Sequence, residues 1–252
     1  MSNKQTAIEI LTRGIAGGDV NYLSSVIANG YVQHNPHVPD GREGLIGMVE
    51  HIHANGNAFE IEPIRVLEED DLVAIHGRHK GQATSVAFDI FRFEDGLAVE
   101  HWDCIQPEEA STVSGRSMLD GPTQVDAEVD TEESRRLVMS FYDDVIINGD
   151  AAKLGDYLGS NYAQHNPKIA DNAEGFLAFF KWLQKENVSL AVHKTHRSIA
   201  EGDLVLLQSE GEFAGQPTAF YDLFRVQDKK LVEHWDVLQQ IPNEMAHSNG
   251  IF

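Results

Sequence analysis

An internal repeat is the feature that most constrains how this chain can fold. The segment YVQHNP that begins at Tyr31 returns as YAQHNP at Tyr162, 131 positions later. The segment EHWD that begins at Glu100 returns at Glu233, 133 positions later. Solenoid repeats have periods of about 20–50 residues, so a period this long indicates a duplicated domain. The sequence of 252 residues therefore predicts two similar domains in tandem.

The predicted junction between the domains lies in the segment Glu108–Asp130. This segment is rich in serine, glycine and acidic residues and lacks a clear apolar period. Its SML tripeptide at Ser117 lies 133 positions before the GIF tripeptide at Gly250. We therefore expect both segments to run over the surface of their own domain, and we place the domains at residues 1–122 and 123–252.

Both halves carry the same order of predicted helices and strands. Apolar residues spaced three and four apart predict a first helix, an aspartate N-cap precedes a short second helix, and a third helix covers about 44–53 and 173–185. Four strand candidates follow in each half, near 59–67, 72–79, 85–93 and 98–105, and near 189–199, 204–213, 218–226 and 231–238. Helices followed by strands predict an α+β fold with a mainly antiparallel sheet.

The charge balance narrows the partners that the chain can have. It has 19 lysines and arginines against 40 aspartates and glutamates, a net charge of −21. Such an excess repels phosphate backbones and anionic membranes, so we expect no nucleic-acid or membrane partner. The single cysteine, Cys104, excludes an internal disulfide, and no apolar signal core or membrane-spanning stretch is present. These features predict a cytoplasmic protein.

The last strand of each half carries the predicted catalytic residues. Side chains alternate along a strand, so His101 and Asp103 share one face about 6.5 Å apart, and so do His234 and Asp236. An imidazole and a carboxylate among aliphatic neighbours suit acid–base chemistry, because burial raises the carboxyl pKa and the histidine can relay or stabilise charge. The alternative is a hydrogen-bonded pair that only anchors the sheet.

Further polar residues in apolar surroundings or beside a proline are predicted to bind the ligand. They are His34, Asn35, His76, Asp89, His165, Asn166 and Asp222. The histidine and asparagine before each proline could donate hydrogen bonds to an enolate oxygen. They could equally form a turn and tie down a loop.

Metal and nucleotide cofactors have weak support in the sequence. His34, His76, His101 and Asp103 are residue types that zinc accepts, but the sequence has no closely spaced motif such as His-Glu-x-x-His. It also has no phosphate-binding glycine loop. We therefore predict neither a metal nor another cofactor.

Three motifs occur in the same order in each half: Tyr-x-Gln-His-Asn-Pro, Asp-x-Phe-Arg and Glu-His-Trp-Asp. In these motifs the chain resembles the SnoaL-like polyketide cyclase group of the nuclear transport factor 2-like superfamily. The resemblance covers each half almost completely. It implies two tandem cone-shaped domains, each with three N-terminal helices packed in a curved sheet around an apolar pocket.

The resemblance also implies an activity, namely cofactor-independent acid–base catalysis on a small carbonyl compound. The reaction would be an aldol-type cyclisation, an isomerisation, a lyase reaction or a related proton transfer. Asp103 and Asp236 would act as base and acid, His101 and His234 would tune or relay the proton, and the histidine and asparagine of each His-Asn-Pro segment would polarise the carbonyl. The superfamily also hosts other functions, so a non-catalytic binding module and a structural pseudo-dimer are the alternatives.

The duplication predicts that the two domains pair with each other. Two copies in one chain can occupy the two places of a two-fold dimer, and we expect Trp102 and Trp235 near the joint. Such a pair could also associate with further copies of the chain.

The two copies are also predicted to differ in the second strand candidate of each half, near 72–79 and 204–213. His76 and Arg78 in the first copy align with Gln208 and Glu210 in the second. If this strand surface lines the pocket, the first site would favour an anionic ligand. The alternative is that the surface is solvated and has drifted freely.

Overall fold

The chain divides into two compact units. The computed structural model describes residues 1–57 and 59–252. The first domain consists of Met1–Pro107 together with Pro242–Phe252, and the second domain consists of Glu108–Ile241. The second domain is thus continuous in sequence, whereas the first domain is built from two separate segments.

The first domain begins with helices and ends with a sheet. Its helices are α1 (Asn3–Glu9), which continues as a π-helical segment (Ile10–Ala16), α2 (Val20–Val26) and α3 (Gly41–Ala54). Its strands are β1 (Ile27–Gln33), β2 (Glu60–Glu69), β3 (Leu72–Lys80), β4 (Thr84–Glu94) and β5 (Leu97–Pro107).

The second domain repeats this order. Its helices are α4 (Thr131–Phe141), which continues as a π-helical segment (Tyr142–Ile147), α5 (Leu154–Tyr157), which follows a 3-10 turn (Ala151–Lys153), and α6 (Asn172–Glu186). Its strands are β6 (Leu158–Gln164), β7 (Leu190–Glu201), β8 (Leu204–Phe213), β9 (Gln216–Gln227) and β10 (Lys230–Gln240).

Each domain has one five-stranded sheet, in the order β1-β5-β4-β3-β2 and β6-β10-β9-β8-β7. Four strands of each sheet are antiparallel, and the fifth, β1 or β6, pairs in parallel with the last strand. The predicted α+β class with a mainly antiparallel sheet is therefore confirmed. The parallel strands were not predicted, because β1 contains Asn29-Gly30, a turn signal that interrupts any alternation.

One face of each sheet packs against the helices of its own domain, and we call it the inner face. In the first domain this core includes Val73, Ile75, Phe91 and Phe93 from the sheet and Ile10, Leu11, Leu23 and Val49 from the helices. In the second domain it includes Val205, Leu207, Phe224 and Val226 from the sheet and Val138, Phe141, Tyr142 and Val145 from the helices. Residues that alternate with these along the strands, such as Ala74 and Trp102, lie on the other face and are also buried.

The two segments that join the domains pack in a crossed arrangement. The linker strap (residues 108–122) belongs to the second domain, where Val113 N donates to Pro167 O at 3.0 Å. The tail strap (residues 242–252) belongs to the first domain, where Ala246 N donates to Pro36 O at 2.8 Å. This division differs from the predicted one, which placed the boundary between residues 122 and 123 and each of the two segments on its own domain. The physical reason is that each strap supplies donors to the backbone that leaves β1 or β6.

Among the residues that the structure describes, no helix is long and apolar enough to cross a membrane.

Candidate functional site

In the first domain, the hairpin of β4 and β5 brings three polar side chains together on the inner face. The register places Asp89 directly opposite Asp103, and His101 lies two residues before Asp103 on the same face. His101 Nε2 lies 3.1 Å from Asp89 Oδ1. All three residues are at most 5% exposed. We call them the first-domain cluster.

Gln33, at the end of β1, fixes the tautomer of His101. Its side-chain oxygen accepts hydrogen bonds from the backbone N–H groups of His34, at 2.9 Å, and Asn35, at 2.8 Å. Backbone N–H groups only donate, so the atom that they contact must be the amide oxygen. The same oxygen lies 3.0 Å from His101 Nδ1, which must therefore carry a proton and donate it.

This tautomer determines how protons are arranged between His101 and Asp89. Because Nδ1 already carries a proton, the contact between Nε2 and Asp89 Oδ1 needs a second proton between the two atoms. Burial alone would raise the pKa of Asp89, but the contacts with His101 and His79 outweigh it and hold that pKa well below its usual range. The two side chains therefore share a proton, and the carboxylate form of Asp89 is favoured.

Asp103 is the member of the cluster with unused hydrogen-bonding capacity. Asn35 Nδ2 donates to its Oδ2 at 2.5 Å. Its Oδ1 is buried and has no hydrogen-bond partner among the described residues. Burial raises the pKa of Asp103, although the nearby His101 partly opposes this effect. A buried carboxyl group with a raised pKa and a free oxygen can both accept and return a proton.

The second domain repeats this arrangement in Asp222, His234 and Asp236, which we call the second-domain cluster. His234 Nε2 lies 3.0 Å from Asp222 Oδ1, and His234 Nδ1 donates to Gln164 Oε1 at 2.9 Å. Asn166 Nδ2 donates to Asp236 Oδ2 at 2.5 Å, and Asp236 Oδ1 is buried without a partner among the described residues. Burial, only partly offset by His234, raises the pKa of Asp236 to about 6.

The clusters differ at the second oxygen of the central aspartate. In the first domain, Asp89 Oδ2 lies 3.3 Å from His79 Nε2. In the second domain, Tyr142 donates its hydroxyl hydrogen to Asp222 Oδ2 at 2.8 Å. The second partner of the central aspartate is therefore an imidazole in the first domain and a phenol hydroxyl in the second.

The structure does not bring His34 to the cluster. Its Nδ1 lies 2.9 Å from Gly250 O in the tail strap, and its Nε2 lies 2.9 Å from Glu100 Oε1. Both atoms are acceptors, so both ring nitrogens donate, and the ring stacks on Trp102 with centroids 5.0 Å apart. No ring nitrogen of His34 is left to polarise a ligand carbonyl.

His165 has the same surroundings in the second domain. Its Nδ1 lies 2.7 Å from Ser117 O in the linker strap, and its Nε2 lies 2.9 Å from Glu233 Oε1. It stacks on Trp235 with centroids 4.9 Å apart. His34 and His165 therefore fasten the straps, and Asn35 and Asn166 orient the free aspartates.

His76 also lies apart from the first-domain cluster. It belongs to the face of β3 that carries Ala74, and it stacks on Phe88 with centroids 4.3 Å apart. Its Nδ1 lies 3.3 Å from Nη1 of the buried Arg65. The predicted difference between the copies at this position therefore does not concern the inner face, and the four candidate metal ligands of the sequence do not converge.

Each cluster also has a spacing that a metal ion could bridge. One ligand atom from each of Asp89, His101 and Asp103 lies within 4.8 Å of the others, and the same holds for the second-domain cluster. The distance of 3.1 Å between His101 Nε2 and Asp89 Oδ1 is that of a hydrogen bond, however. A shared proton accounts for this spacing without a metal.

Four residues that contact the two clusters were not predicted as site residues from the sequence. Gln33 and Gln164 belong to the repeated YxQHNP segment, so repetition of an internal polar residue was an available signal. His79 and Tyr142 have no counterpart of the same type in the other copy, and only the packing of β3 and of the first helix reveals their position.

A cavity with a volume of about 720 Å³ lies in the second domain. Val145, Phe180, Leu183 and Leu190 contribute to its apolar lining. None of the predicted site residues, all of which the structure describes, is among its lining residues. Val145 follows Tyr142 by about one helical turn, so the first helix of this domain contributes to both the cavity and the cluster.

Comparison with known families gives a match in each half. A model described as a SnoaL-like domain matches residues 8–101, and a model described as a SnoaL-like polyketide cyclase matches residues 136–245. These ranges correspond to the two copies of the repeat. The chain belongs to the SnoaL-like family, with two such domains in tandem.

Several solved structures are similar to the chain. IdmH from Streptomyces antibioticus is 20% identical, with 42% of this chain and 93% of IdmH covered and a TM-score of 0.38. TsrD from Streptomyces laurentii is 22% identical, with 40% and 86% covered and a TM-score of 0.37. An NTF2-like protein from Burkholderia pseudomallei is 18% identical, with 42% and 92% covered and a TM-score of 0.36. No curated protein matches the chain.

Proposed function

We propose that this protein is a cofactor-independent enzyme that catalyses proton transfer at a carbon atom next to a carbonyl group. The observation that carries the proposal is the buried free oxygen of Asp103 and of Asp236, each beside a histidine. Two copies of the repeat retain this arrangement, although other inner-face contacts have changed. Family membership supports a reaction of the cyclase, isomerase or lyase type on a small carbonyl compound.

In the proposed reaction, Asp236 Oδ1 removes a proton from the carbon atom next to the carbonyl group. The C–H electron pair becomes the enolate, and the proton forms the O–H bond of the carboxylic acid. The enolate attacks a second carbonyl carbon or is reprotonated at another carbon, and Asp236 returns its proton to the resulting alkoxide or carbon. A raised carboxyl pKa suits both steps, since the group must accept and release a proton near neutral pH.

The surrounding residues keep Asp236 ready for this exchange. Asn166 holds Oδ2, so that Oδ1 carries the proton. Both ring nitrogens of His234 are engaged, by Gln164 and by Asp222, so its ring is held in place beside the developing enolate and does not relay the proton itself. Asn35, His101 and Asp103 would act in the same way in the first domain.

Exchange of carbon-bound hydrogen for deuterium tests this proposal without knowledge of the natural substrate. The full chain is incubated in D₂O with simple ketones such as cyclohexanone, and deuterium incorporation is followed by NMR. The double variant Asp103→Asn, Asp236→Asn should reduce enzyme-dependent exchange by about 10²–10⁴-fold. The exposed Asp143→Asn serves as the matched control and should have no effect.

Undiminished exchange in a folded double variant would refute the assignment of the two aspartates. Protein that promotes no exchange above buffer would instead favour the second candidate function, a non-catalytic binding module. The low exposure of both clusters favours this candidate, since Asp103 is 4% and Asp236 is 6% exposed.

A further inference from the structure

The difference between the clusters reflects a reciprocal change at aligned positions. The repeat aligns Leu11 with Tyr142 and His79 with Gly211. The first domain therefore takes the second partner of its central aspartate from β3, whereas the second domain takes it from the first helix. A histidine has been exchanged for a phenol at the same carboxylate oxygen.

The exchange changes the charge that each cluster can carry. The carboxylate of Asp89 raises the pKa of His79, although burial opposes the effect, so a positive charge is favoured on that ring. Tyr142 is neutral at ordinary pH, because burial and the nearby Asp222 raise its pKa well above the usual value. The first-domain cluster can therefore carry one more positive charge than the second.

His79 also lies nearer to solvent than Asp89 and His101 of the first-domain cluster. Its side chain is 17% exposed, whereas the side chains of Asp89 and His101 are 4% and 6% exposed. Its Nε2 is 3.3 Å from Asp89 Oδ2 without forming a hydrogen bond of good geometry. A small shift of the ring would turn this N–H towards an incoming acceptor.

We propose that the first domain binds an anionic ligand, a small carbonyl compound that bears a carboxylate group, through His79. The second domain, with Tyr142 in place of this histidine, takes the uncharged counterpart. The site would be the cluster that the proposed function already assigns to chemistry, so this inference rests on that function and names the class of ligand. The selectivity lies at His79 on the inner face, and not at His76, which lies on the other face.

The test compares the binding of two similar ligands, one charged and one uncharged. Acetoacetate and its methyl ester are titrated separately into the full chain, and binding is followed by changes in the NMR spectrum of the protein. His79→Gln removes the cation and retains a donor of similar reach. The exposed His193→Gln is the matched control, because it also removes one imidazole.

Acetoacetate should bind one site per chain, and His79→Gln should weaken this binding by roughly tenfold, corresponding to about 1.4 kcal/mol. Binding of the methyl ester should not change in this variant, and His193→Gln should behave as wild type. Equal binding of acetoacetate to wild type and to a folded His79→Gln variant would overturn the inference, as would two equivalent acetoacetate sites or no saturable binding.

The exchange experiment with cyclohexanone separates failure of this inference from failure of the proposed function. If wild type exchanges the ketone and the double aspartate variant does not, while acetoacetate shows no dependence on His79, only the ligand preference is wrong. If acetoacetate binds through His79 but no exchange occurs, the cluster is a ligand site without catalysis.

Discussion

Among single residues, the glutamine of the repeated motif determines that Nδ1 of the cluster histidine carries a proton. The side-chain oxygen of Gln164 accepts hydrogen bonds from the backbone N–H of Asn166, at 2.9 Å, and from His234 Nδ1. This one atom therefore links the backbone at the end of β6 to the imidazole. A buried donor that loses its only acceptor costs about 1–3 kcal/mol, so this oxygen matters for stability and for the histidine alike.

Replacement of this glutamine should separate the two effects. Gln164→Leu removes the acceptor and should lower the free energy of unfolding by about 1–3 kcal/mol, as measured by urea denaturation. Gln164→Glu keeps an acceptor at the same place and should cost clearly less. Equal losses in the two variants would show that the packing of the side chain matters and the acceptor does not.

The raised pKa of Asp236 predicts a specific dependence of stability on pH. The folded protein holds this proton up to about pH 6, whereas an aspartate in the unfolded chain loses it near 3.9. Stabilisation from the bound proton is therefore complete below about pH 4 and is lost as the pH rises through 6. Between pH 4 and pH 7, wild type should lose about 2 kcal/mol relative to Asp236→Asn.

Urea denaturation of wild type and Asp236→Asn across this range measures the difference directly. All other carboxylates are common to both proteins, so their contributions largely cancel in the comparison. Curves that stay parallel from pH 4 to pH 7 would contradict a raised pKa at this position.

Strand alternation explains why part of the site could be predicted from the sequence. It places His101 and Asp103 on one face, and the structure confirms that they share it. The contacts of Gln33 and Tyr142 depend on strand register and on the rotation of a helix, which alternation does not specify. The His-Asn-Pro segment was harder still, because its histidine and asparagine point to different partners.

At the scale of secondary structure, helices α3 and α6 are positioned by a close approach to the chain that precedes them. A Cβ atom on Gly44 would lie 2.3 Å from Pro39 O, and one on Gly175 would lie 2.0 Å from Ala170 O. Both obstacles are backbone atoms, which cannot move aside as a flexible side chain can. Each domain therefore needs glycine here for the helix to leave the His-Asn-Pro loop at its observed angle.

Alanine substitutions in α3 should reveal this requirement. Gly44→Ala should destabilise the protein by about 1–3 kcal/mol, because the helix must shift away from Pro39. Gly47→Ala, in the same helix with open space around it, should stabilise the protein by about 0.5–1 kcal/mol. Thermal unfolding of both variants gives the comparison, and an equal effect of the two changes would contradict the close approach.

The predictability of the elements also differs within one sheet. The four antiparallel strands of each sheet have enough apolar alternation to be predicted, and their observed bounds overlap the predicted ranges. β1 instead shows a shift of register against β5 between Ile27 and Val32. A strand with such an irregularity loses the period of two that sequence patterns depend on.

For the whole molecule, the tail strap makes the first domain depend on the last residues of the sequence. Asn249 Nδ2 donates to Gln33 O at 3.0 Å, Gly250 O accepts from His34, and Ile251 is buried. Deletion of residues 242–252 should therefore lower the stability of the first domain by about 3–5 kcal/mol. Hydrogen exchange measured by mass spectrometry should show loss of protection at residues 31–38.

The linker strap supplies the reciprocal control. Arg116 forms paired hydrogen bonds with Asp171, including one of 2.9 Å from Nη2 to Oδ2. Arg116→Ala should reduce protection at residues 162–169 and leave residues 31–38 unchanged. If deletion of the tail loosened both regions equally, the straps would not be specific to one domain each.

The crossed straps also bear on the order in which the domains can fold during synthesis. The second domain is continuous, so all of it has been translated by Ile241, whereas the first domain still lacks Pro242–Phe252 at that moment. At about 5–20 residues per second, β5 is translated roughly seven to thirty seconds before the tail strap. The domain that is translated first is therefore completed last, and until then His34 and the end of β1 are without their strap.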